Sequence, residues 1–237
     1  MKGLLLLLWM LPLMVFAQPK VCLVSASAEY GSHDSLAKLQ ADLEAQGVKC
    51  FRAFGEDKGT GIPGLEKLAE SDVLVLFTRR IVLPPAQMEL VRKHVEAGKG
   101  IVGIRTASHG IQNWVPDVKA FDKEILGGSY DGHYKNNEAA ELVITPGKEG
   151  HPVFKDVKPF ATDGKLYKNE SLAADVTVLM TAKNASGNTQ PVAWTRLNKG
   201  GKVFYTSLGV QKDFENPEFR KFLVNAVVWS SEKSSEK

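Results

Sequence analysis

The feature of this 237-residue sequence that most constrains its fold is a series of short, continuous apolar runs separated by helical patterns. The clearest runs lie at residues 20–25, 72–78 and 101–104, and none of them alternates apolar with polar residues. A strand that is covered on both faces has this continuous pattern, whereas a strand with one solvated face alternates. The runs therefore predict a buried, mainly parallel sheet with right-handed crossover helices.

Helical patterns fill the gaps between these runs. After the first run, apolar residues recur three and four positions apart, at Leu36, Leu39 and Leu43. We expect Ser32 or Asp34 to cap this helix at its amino end. A second helix opens on a proline pair, and within it His94 is expected to face the surface. The last helix is predicted to begin at Asn216-Pro217, with the asparagine as its cap.

The second half of the chain is richer in strands than the first. We expect strands at residues 141–145, 176–182, 190–196 and 201–206, the last two paired around a turn at 198–200. Such strands would extend one edge of the parallel sheet in antiparallel orientation. The sequence therefore predicts an α/β fold of the flavodoxin-like type. This is a three-layer sandwich whose central sheet is mostly parallel, with antiparallel additions from the C-terminal half.

Both ends of the chain are predicted to lie outside the folded domain. Residues 1–17 contain one cation, a short apolar run and a small residue at Ala17, which is typical of a secretory signal peptide. The run is too short to favour a membrane-spanning helix. We expect cleavage after Ala17, a single domain at 18–230 and a disordered polar tail at 231–237. The protein is thus expected to be secreted or periplasmic, with no stable membrane span after cleavage.

The charge of the chain excludes one large class of partner. It has 30 Lys and Arg against 27 Asp and Glu, a formal net charge of +3, and no basic run. A nucleic-acid-binding surface requires clustered positive charge. We therefore expect no nucleic-acid partner.

The two cysteines, Cys22 and Cys50, each fall at the start of a predicted strand. Export would permit a disulfide bond between them. Two separate buried thiols are the interpretation that we favour.

A candidate site lies where the strand at 101–104 stops. Arg105 follows the strand directly, and His109 comes four residues later after three small ones. Ligands bind at the carboxyl ends of strands in open α/β folds, and a sharp strand-to-helix turn lifts a side chain clear of the sheet. His33, after the first strand, and His133, after the glycine pair at 127–128, are expected on the same rim.

Motifs spread along the mature chain resemble the ThuA-like (trehalose-utilisation) family, which is related in fold to class I glutamine amidotransferases. Each motif is weak alone, and together they cover nearly all of the mature chain in order. They are His33-Asp34-Ser35, Gly98-Lys99-Gly100, Val102-Gly103-Ile104, Thr106-Ala107, Leu126-Gly127-Gly128-Ser129-Tyr130, His133, His151-Pro152, Leu166-Tyr167, the stretches 191–196 and 203–209, Asn225-Ala226 and Trp229.

The resemblance is interrupted at the turn itself. Class I amidotransferases carry a nucleophilic cysteine where Arg105 stands. An arginine cannot replace it, because the permanently protonated guanidinium has no electron pair with which to attack. Glutamine hydrolysis by that route is excluded. Many family members also have histidines at the positions of Arg105 and Val210 and an acidic residue near Gly164, and this chain has none of the three.

The resemblance implies an action on small carbohydrates, including disaccharides and oxidised keto-sugars. For such a substrate we predict that Arg105 polarises a carbonyl or hydroxyl group. His109 and His133 would transfer protons near neutral pH, and Asp163 would orient one of these histidines.

Four further residues are predicted to bind the sugar. Trp114, Tyr130 and Tyr167 offer aromatic faces on which a sugar ring could stack, and His33 lies on the same rim. The alternative, from a different class of function, is a non-catalytic sugar-binding domain in which Arg105 only clamps the ligand.

The sequence identifies no cofactor. Its histidines and carboxylates match no metal-ligand spacing, so no residue is predicted to hold a metal. Residues 98–103 match the dinucleotide pattern in letters, but they follow a helix and enter a strand. That order is the reverse of the one in nucleotide-binding proteins, and we reject this assignment.

Overall fold

The computed structural model describes residues 18–134, 140–169 and 171–234. The predicted signal peptide at 1–17 and residues 235–237 of the predicted tail lie outside the described residues. Within the described part, the strands are β1 Lys20–Ala26, β2 Lys49–Phe54, β3 Val73–Thr78, β4 Gly100–Ile104, β5 Glu141–Ile144, β6 Thr177–Lys183, β7 Thr189–Asn198 and β8 Gly201–Thr206. The α-helices are α1 Ser32–Glu44, α2 Pro85–Glu96 and α3 Pro217–Ser231.

All these strands form a single mixed sheet in the order β2-β1-β3-β4-β8-β7-β6-β5. Strands β2, β1, β3, β4 and β8 run parallel, and β7, β6 and β5 continue the sheet in antiparallel orientation. The predicted fold class is therefore confirmed, including the antiparallel additions from the C-terminal half. The parallel strands bring all their carboxyl ends to one edge of the sheet.

Two apolar layers explain why the first strands have continuous apolar runs. Along β1, Val21 and Leu23 pack in the layer that contains α1 and α3. Their neighbours Cys22 and Val24 pack in the opposite layer, with α2. Because both faces of the strand are covered, no position in its centre can be polar without a partner.

The predicted capping residue is confirmed for α3 but not for α1. Asn216 caps α3, since its Oδ1 accepts a hydrogen bond from the Glu218 amide at 2.9 Å. The predicted cap of α1 is wrong, because the N-cap residue is Gly31 and no side chain caps the helix. Ser32 Oγ instead accepts from the Ser27 amide at 2.9 Å, which holds the loop that leaves β1.

His94 is also placed differently from our expectation. It is buried, 3% exposed, and its Nε2 lies 2.9 Å from the carbonyl oxygen of Gly100, the first residue of β4. The helical period correctly predicts the buried stripe of α2, but it does not show that α2 packs against the start of β4. Burial lowers the pKa of His94 to about 4.

Both cysteines are free thiols, as we favoured, but only Cys22 is buried, and Cys50 is half-buried. Among the described residues, no helix is both long enough and apolar enough to cross a membrane.

We predict that His94 makes the fold less stable in mild acid. The imidazole pKa is about 6.5 in an unfolded chain and about 4 in the folded protein. Between these values only the unfolded chain binds the proton, so stability is complete above pH 6.5 and falls as the pH drops towards 4. In His94→Gln the side-chain amide can still donate a hydrogen bond to the Gly100 carbonyl, but it does not gain a proton in this pH range. Between pH 7 and pH 4.5 the free energy of unfolding, measured in urea, should fall by about 2 kcal/mol less for the variant than for the wild type. Parallel stability curves for the two proteins would contradict this role.

Candidate functional site

The candidate site lies at the edge of the sheet where the parallel strands end. Tyr30 follows β1 in a short 3-10 helix, Arg80 follows β3, and Arg105 follows β4. Ser207 follows β8, the neighbour of β4 in the sheet. Since β1 lies between β2 and β3, chain connections diverge on either side of it, as they do at the ligand sites of other open α/β sheets.

Arg105 occupies the sharp turn that the sequence predicts after β4. Its φ of +46° lies in the left-handed region, which costs a bulky residue on the order of 1 kcal/mol. A short 3-10 helix, Arg105–His109, starts at this residue. The geometry of a strained strand-to-helix elbow is thus present, with a guanidinium in place of a nucleophile.

The guanidinium of Arg105 is enclosed. The residue is 1% exposed, and its Nη1 donates to the Ser207 carbonyl at 2.8 Å. The guanidinium carbon lies 4.4 Å from the ring centre of Tyr30 and 4.6 Å from that of Tyr167. Cation–π contacts of this kind are strongest when water is excluded. Arg105 therefore joins the loops after β1, β4 and β8, but it presents no surface on which a substrate could lie.

The family resemblance is interrupted at Arg105, Gly164 and Val210, and the structure brings these three positions close together. A Cβ atom added at Gly164 would lie 3.1 Å from Nη1 of Arg105 and 3.1 Å from Cγ1 of Val210. The arginine thus lies against a bare backbone and an apolar side chain. The space at the elbow is filled by Arg105 itself.

Asp213 holds the loop that passes behind Arg105, and sequence reasoning missed it. One of its carboxylate oxygens accepts hydrogen bonds from the Gly209 amide at 2.8 Å, the Val210 amide at 3.1 Å and the Thr162 hydroxyl at 3.0 Å. Burial raises the pKa of Asp213, although these donors oppose the rise. Its position three residues after Val210, at the start of a short helix, was the available sequence signal.

His109 is half-buried. The Ser108 hydroxyl lies 3.3 Å from the Arg105 carbonyl oxygen and 3.1 Å from Nδ1 of His109. Burial, followed by the charges of Arg80, Arg79 and Arg105, lowers the pKa of His109 to about 3. The imidazole is therefore neutral at physiological pH, with one ring nitrogen that donates a hydrogen bond and one that accepts.

Two tyrosine rings connect His109 to the enclosed arginine. The ring centre of Tyr130 lies 4.5 Å from that of His109, nearly parallel to it, and 4.6 Å from that of Tyr167. The centres of His109 and Tyr167 are 6.3 Å apart. Because Tyr167 also covers Arg105, a change at the guanidinium would reach His109 through two ring contacts.

Asp122 holds Tyr130 in place and is a second residue that sequence reasoning missed. Its Oδ2 accepts from the Tyr130 amide at 2.8 Å. A Cβ atom added at Gly128 would lie 2.3 Å from Oδ1 of the same carboxyl, so only glycine fits there. Burial raises the pKa of Asp122 to about 7. The glycine pair at 127–128 is visible in the sequence, but no sequence pattern showed which side chain it packs against.

A cavity of about 400 Å³ opens beside these rings. Its lining combines aromatic and planar polar groups with charged side chains: Arg80, Ser108, His109, Gln112, Val118, Lys119, Tyr130, Asp131 and Gly132. Cavities that bind small molecules have volumes of roughly 300–1,000 Å³. We refer to this cavity as the His109 pocket.

Of the residues predicted to be catalytic, only His109 lines this pocket. His133 pairs through its backbone with Tyr167, but its imidazole is exposed and lies 3.0 Å from the Tyr134 carbonyl. Asp163 is exposed and forms an ion pair with Lys212, so its recorded partner is a lysine and not a histidine.

The predicted sugar-binding residues are also divided. Tyr130 lines the pocket, and Tyr167 is 1% exposed beneath it. Trp114 is 6% exposed, with Arg92 stacked on its ring and its Nε1 donating to Glu124. His33 packs its ring against Phe54 of the edge strand β2, at 5.1 Å between ring centres.

No group of three or more His, Cys, Asp or Glu residues that could hold a metal ion occurs in the described ranges. The chemistry that remains at the site is hydrogen bonding by neutral and positively charged groups around a small cavity.

Comparison with known proteins identifies relatives of the whole domain. A family model described as "ThuA: Trehalose utilisation" matches residues 20–230. A ThuA-like protein from Bacteroides uniformis is 19% identical, with a TM-score of 0.66 over 93% of this chain and 95% of that chain. One from Parabacteroides merdae is 16% identical, with a TM-score of 0.66 over 93% of each chain.

A β-galactosidase from Rahnella sp. R3 is 13% identical and covers 91% of this chain but 32% of its own, with a TM-score of 0.56. At such identities these likenesses establish the fold alone. A search of curated proteins found no match.

We predict that the enclosed guanidinium supports the fold in a way that lysine cannot. Lysine lacks the planar face that stacks between Tyr30 and Tyr167 and the fork that reaches Ser207. Arg105→Lys should therefore lower the free energy of unfolding by about 1–3 kcal/mol. The matched control is Arg80→Lys, since Arg80 also has a positive φ, +53°, but is exposed. We expect the control to change stability by less than about 0.5 kcal/mol. Equal effects of the two substitutions in urea denaturation would refute the assignment.

Proposed function

This chain belongs to the ThuA family, whose model is described by trehalose utilisation, and on that premise we propose that it is an exported protein that binds a small carbohydrate in the His109 pocket. The observation that carries the proposal is the enclosure of Arg105. The guanidinium fills the elbow together with Gly164 and Val210, so the accessible polar groups lie one helical turn further on, around His109.

The chemistry of the pocket suits sugar hydroxyl groups. A hydroxyl both donates and accepts, so its site needs acceptors and donors at close range. The neutral His109 ring offers a nitrogen that can donate or accept, and Gln112 offers an amide with both capacities. Arg80 supplies donors at the same wall, and Tyr130 adds an aromatic surface. Sugar hydroxyl groups could therefore bind these side chains without any change in the protonation state that the side chains have at neutral pH.

Turnover of disaccharides or keto-sugars is the second candidate function. It is favoured by one observation, which is that His109 is unprotonated and half-buried beside the cavity. A general base is most effective when its pKa is near the working pH, however, and a pKa of about 3 makes this imidazole a weak base. With Arg105 enclosed and the recorded partners of His133 and Asp163 lying elsewhere, binding without turnover is the conclusion that we draw.

Export is proposed from the amino-terminal sequence. Expression of the full chain in a Gram-negative host should give a periplasmic protein whose first residue is Gln18. A cation followed by a short apolar run directs secretion, and Ala17 provides the small residue at the cleavage site. N-terminal sequencing of fractionated cells measures both results. Recovery of protein that begins at Met1 in the cytoplasm would contradict the proposal.

The binding function predicts a loss of affinity when the hydrogen-bonding nitrogens of His109 are removed. In His109→Phe the ring can still stack on Tyr130, but both ring nitrogens are gone. Loss of one hydrogen bond of about 1.4 kcal/mol should weaken sugar binding about tenfold. Calorimetric titration with a panel of disaccharides and their keto derivatives measures the change. His151→Phe is the matched control, because His151 packs against Trp229 near the opposite end of the sheet and should leave affinity unchanged.

The same panel separates the two candidate functions. Incubation of the protein with each sugar, with and without divalent metal, followed by mass spectrometry, should return every sugar unaltered. Conversion of any sugar that depends on His109 would establish turnover in place of simple binding. If no sugar binds and none is converted, the carbohydrate function is wrong.

A further inference from the structure

Arg80 is an exposed cation of the His109 pocket, and it lies in a strained backbone conformation. Its φ is +53°, and its amide donates to the His109 carbonyl at 2.9 Å. The backbone of the pocket residue His109 is thereby tied to the end of β3. A bulky residue in the left-handed region is uncommon and often marks a site where side-chain direction matters. The side chain is exposed and lines the cavity.

The other cations around the pocket have carboxylate partners. Arg79 pairs with Glu29 at 2.8 Å and with Asp57 at 3.1 Å. Lys119 pairs with Asp131 at 3.0 Å, so these two pocket residues offset each other. Within the part of the chain that the structure describes, no ion pair is recorded for the guanidinium of Arg80. The pocket therefore contains one cationic group that is available to a ligand.

A second positive charge lies behind the pocket wall. Arg105 is enclosed by carbonyl oxygens and by the rings of Tyr30 and Tyr167, and no carboxylate is recorded within ion-pair distance of it among the described residues. The Asp213 carboxylate behind Arg105 interacts with this charge and offsets part of it. The Tyr167 and Tyr130 rings lie between Arg105 and His109. An anion in the pocket would therefore be attracted mainly by Arg80, with a smaller contribution from Arg105.

We infer that the ligand of the His109 pocket is a sugar that carries a carboxylate, which Arg80 binds, while the neutral His109 ring hydrogen-bonds a hydroxyl group of the sugar. This inference rests on the proposed carbohydrate function and names its substrate class. The planar fork of a guanidinium matches a carboxylate with two parallel hydrogen bonds. One available cation balances the single charge of a uronate, whereas a phosphate ester carries a charge of about −1.5 to −2 at pH 7.

The test compares ligands that differ only in the acidic group. Methyl glucuronide and methyl glucoside are titrated calorimetrically into the full-length protein at low ionic strength, together with glucose 6-phosphate. We expect the uronide to bind at least about tenfold more tightly than the neutral glycoside, as one charge-assisted pair would provide. In Arg80→Gln the preference should disappear, because the uronide loses its charge-assisted pair and both ligands then meet the same neutral amide. Lys183→Gln removes an exposed cation on β6, away from the pocket, and should leave the preference intact.

The outcomes separate this inference from the function on which it rests. If the neutral glycoside binds as tightly as the uronide, or if the preference survives in Arg80→Gln, the assignment of a carboxylate to Arg80 is overturned and the carbohydrate function stands. Tighter binding of the sugar phosphate than of the uronide would also overturn the carboxylate. If none of the sugars binds, the proposed function itself fails. Matching circular dichroism spectra and melting temperatures for both variants exclude misfolding as the cause of any change.

Discussion

The stacking of Arg105 between Tyr30 and Tyr167 is the interaction on which the functional edge of this protein depends. Through it the loops that follow β1, β4 and β8 are fixed to one another, and Ser207 provides the closest hydrogen bond at 2.8 Å. Tyr205 adds a further connection, because its hydroxyl donates to the Arg105 carbonyl at 2.7 Å. An arginine is suited to this position because it remains charged, stacks through a planar face and donates in several directions at once.

This arrangement is the reason that we place the proposed binding site around His109 and not at the elbow. A nucleophile elbow works by lifting one side chain into open space. Here the side chain that is lifted turns back into the protein and fills the space beside Gly164 and Val210. The ring contacts from Tyr167 through Tyr130 then form the floor of a separate cavity. The chain retains the fold of the family, and its accessible polar side chains lie one turn beyond the elbow, around His109.

Part of this site could be predicted from the sequence and part could not. His109 and Tyr130 were identified because each lies in a turn rich in small residues after a buried element, where side chains reach the rim. Trp114 was predicted from its residue type alone, but the structure places it 6% exposed beneath Arg92. Asp122 and Asp213 were missed because single acidic residues in polar stretches resemble solvated surface, although both bind backbone amides in the interior.

The sequence by itself determined the order of strands and helices, the parallel character of the first half and the sharp turn at Arg105. These depend on local features, such as continuous apolar runs, helical spacing and small residues after a strand. Only the tertiary structure decided which side chains meet. Arg105 and Ser207 are separated by 102 residues and are joined because β4 and β8 are neighbours in the sheet. Neighbours of this kind follow from the packing of both sheet faces against the helices, which no local pattern encodes, and the same packing buried His94 and enclosed Arg105.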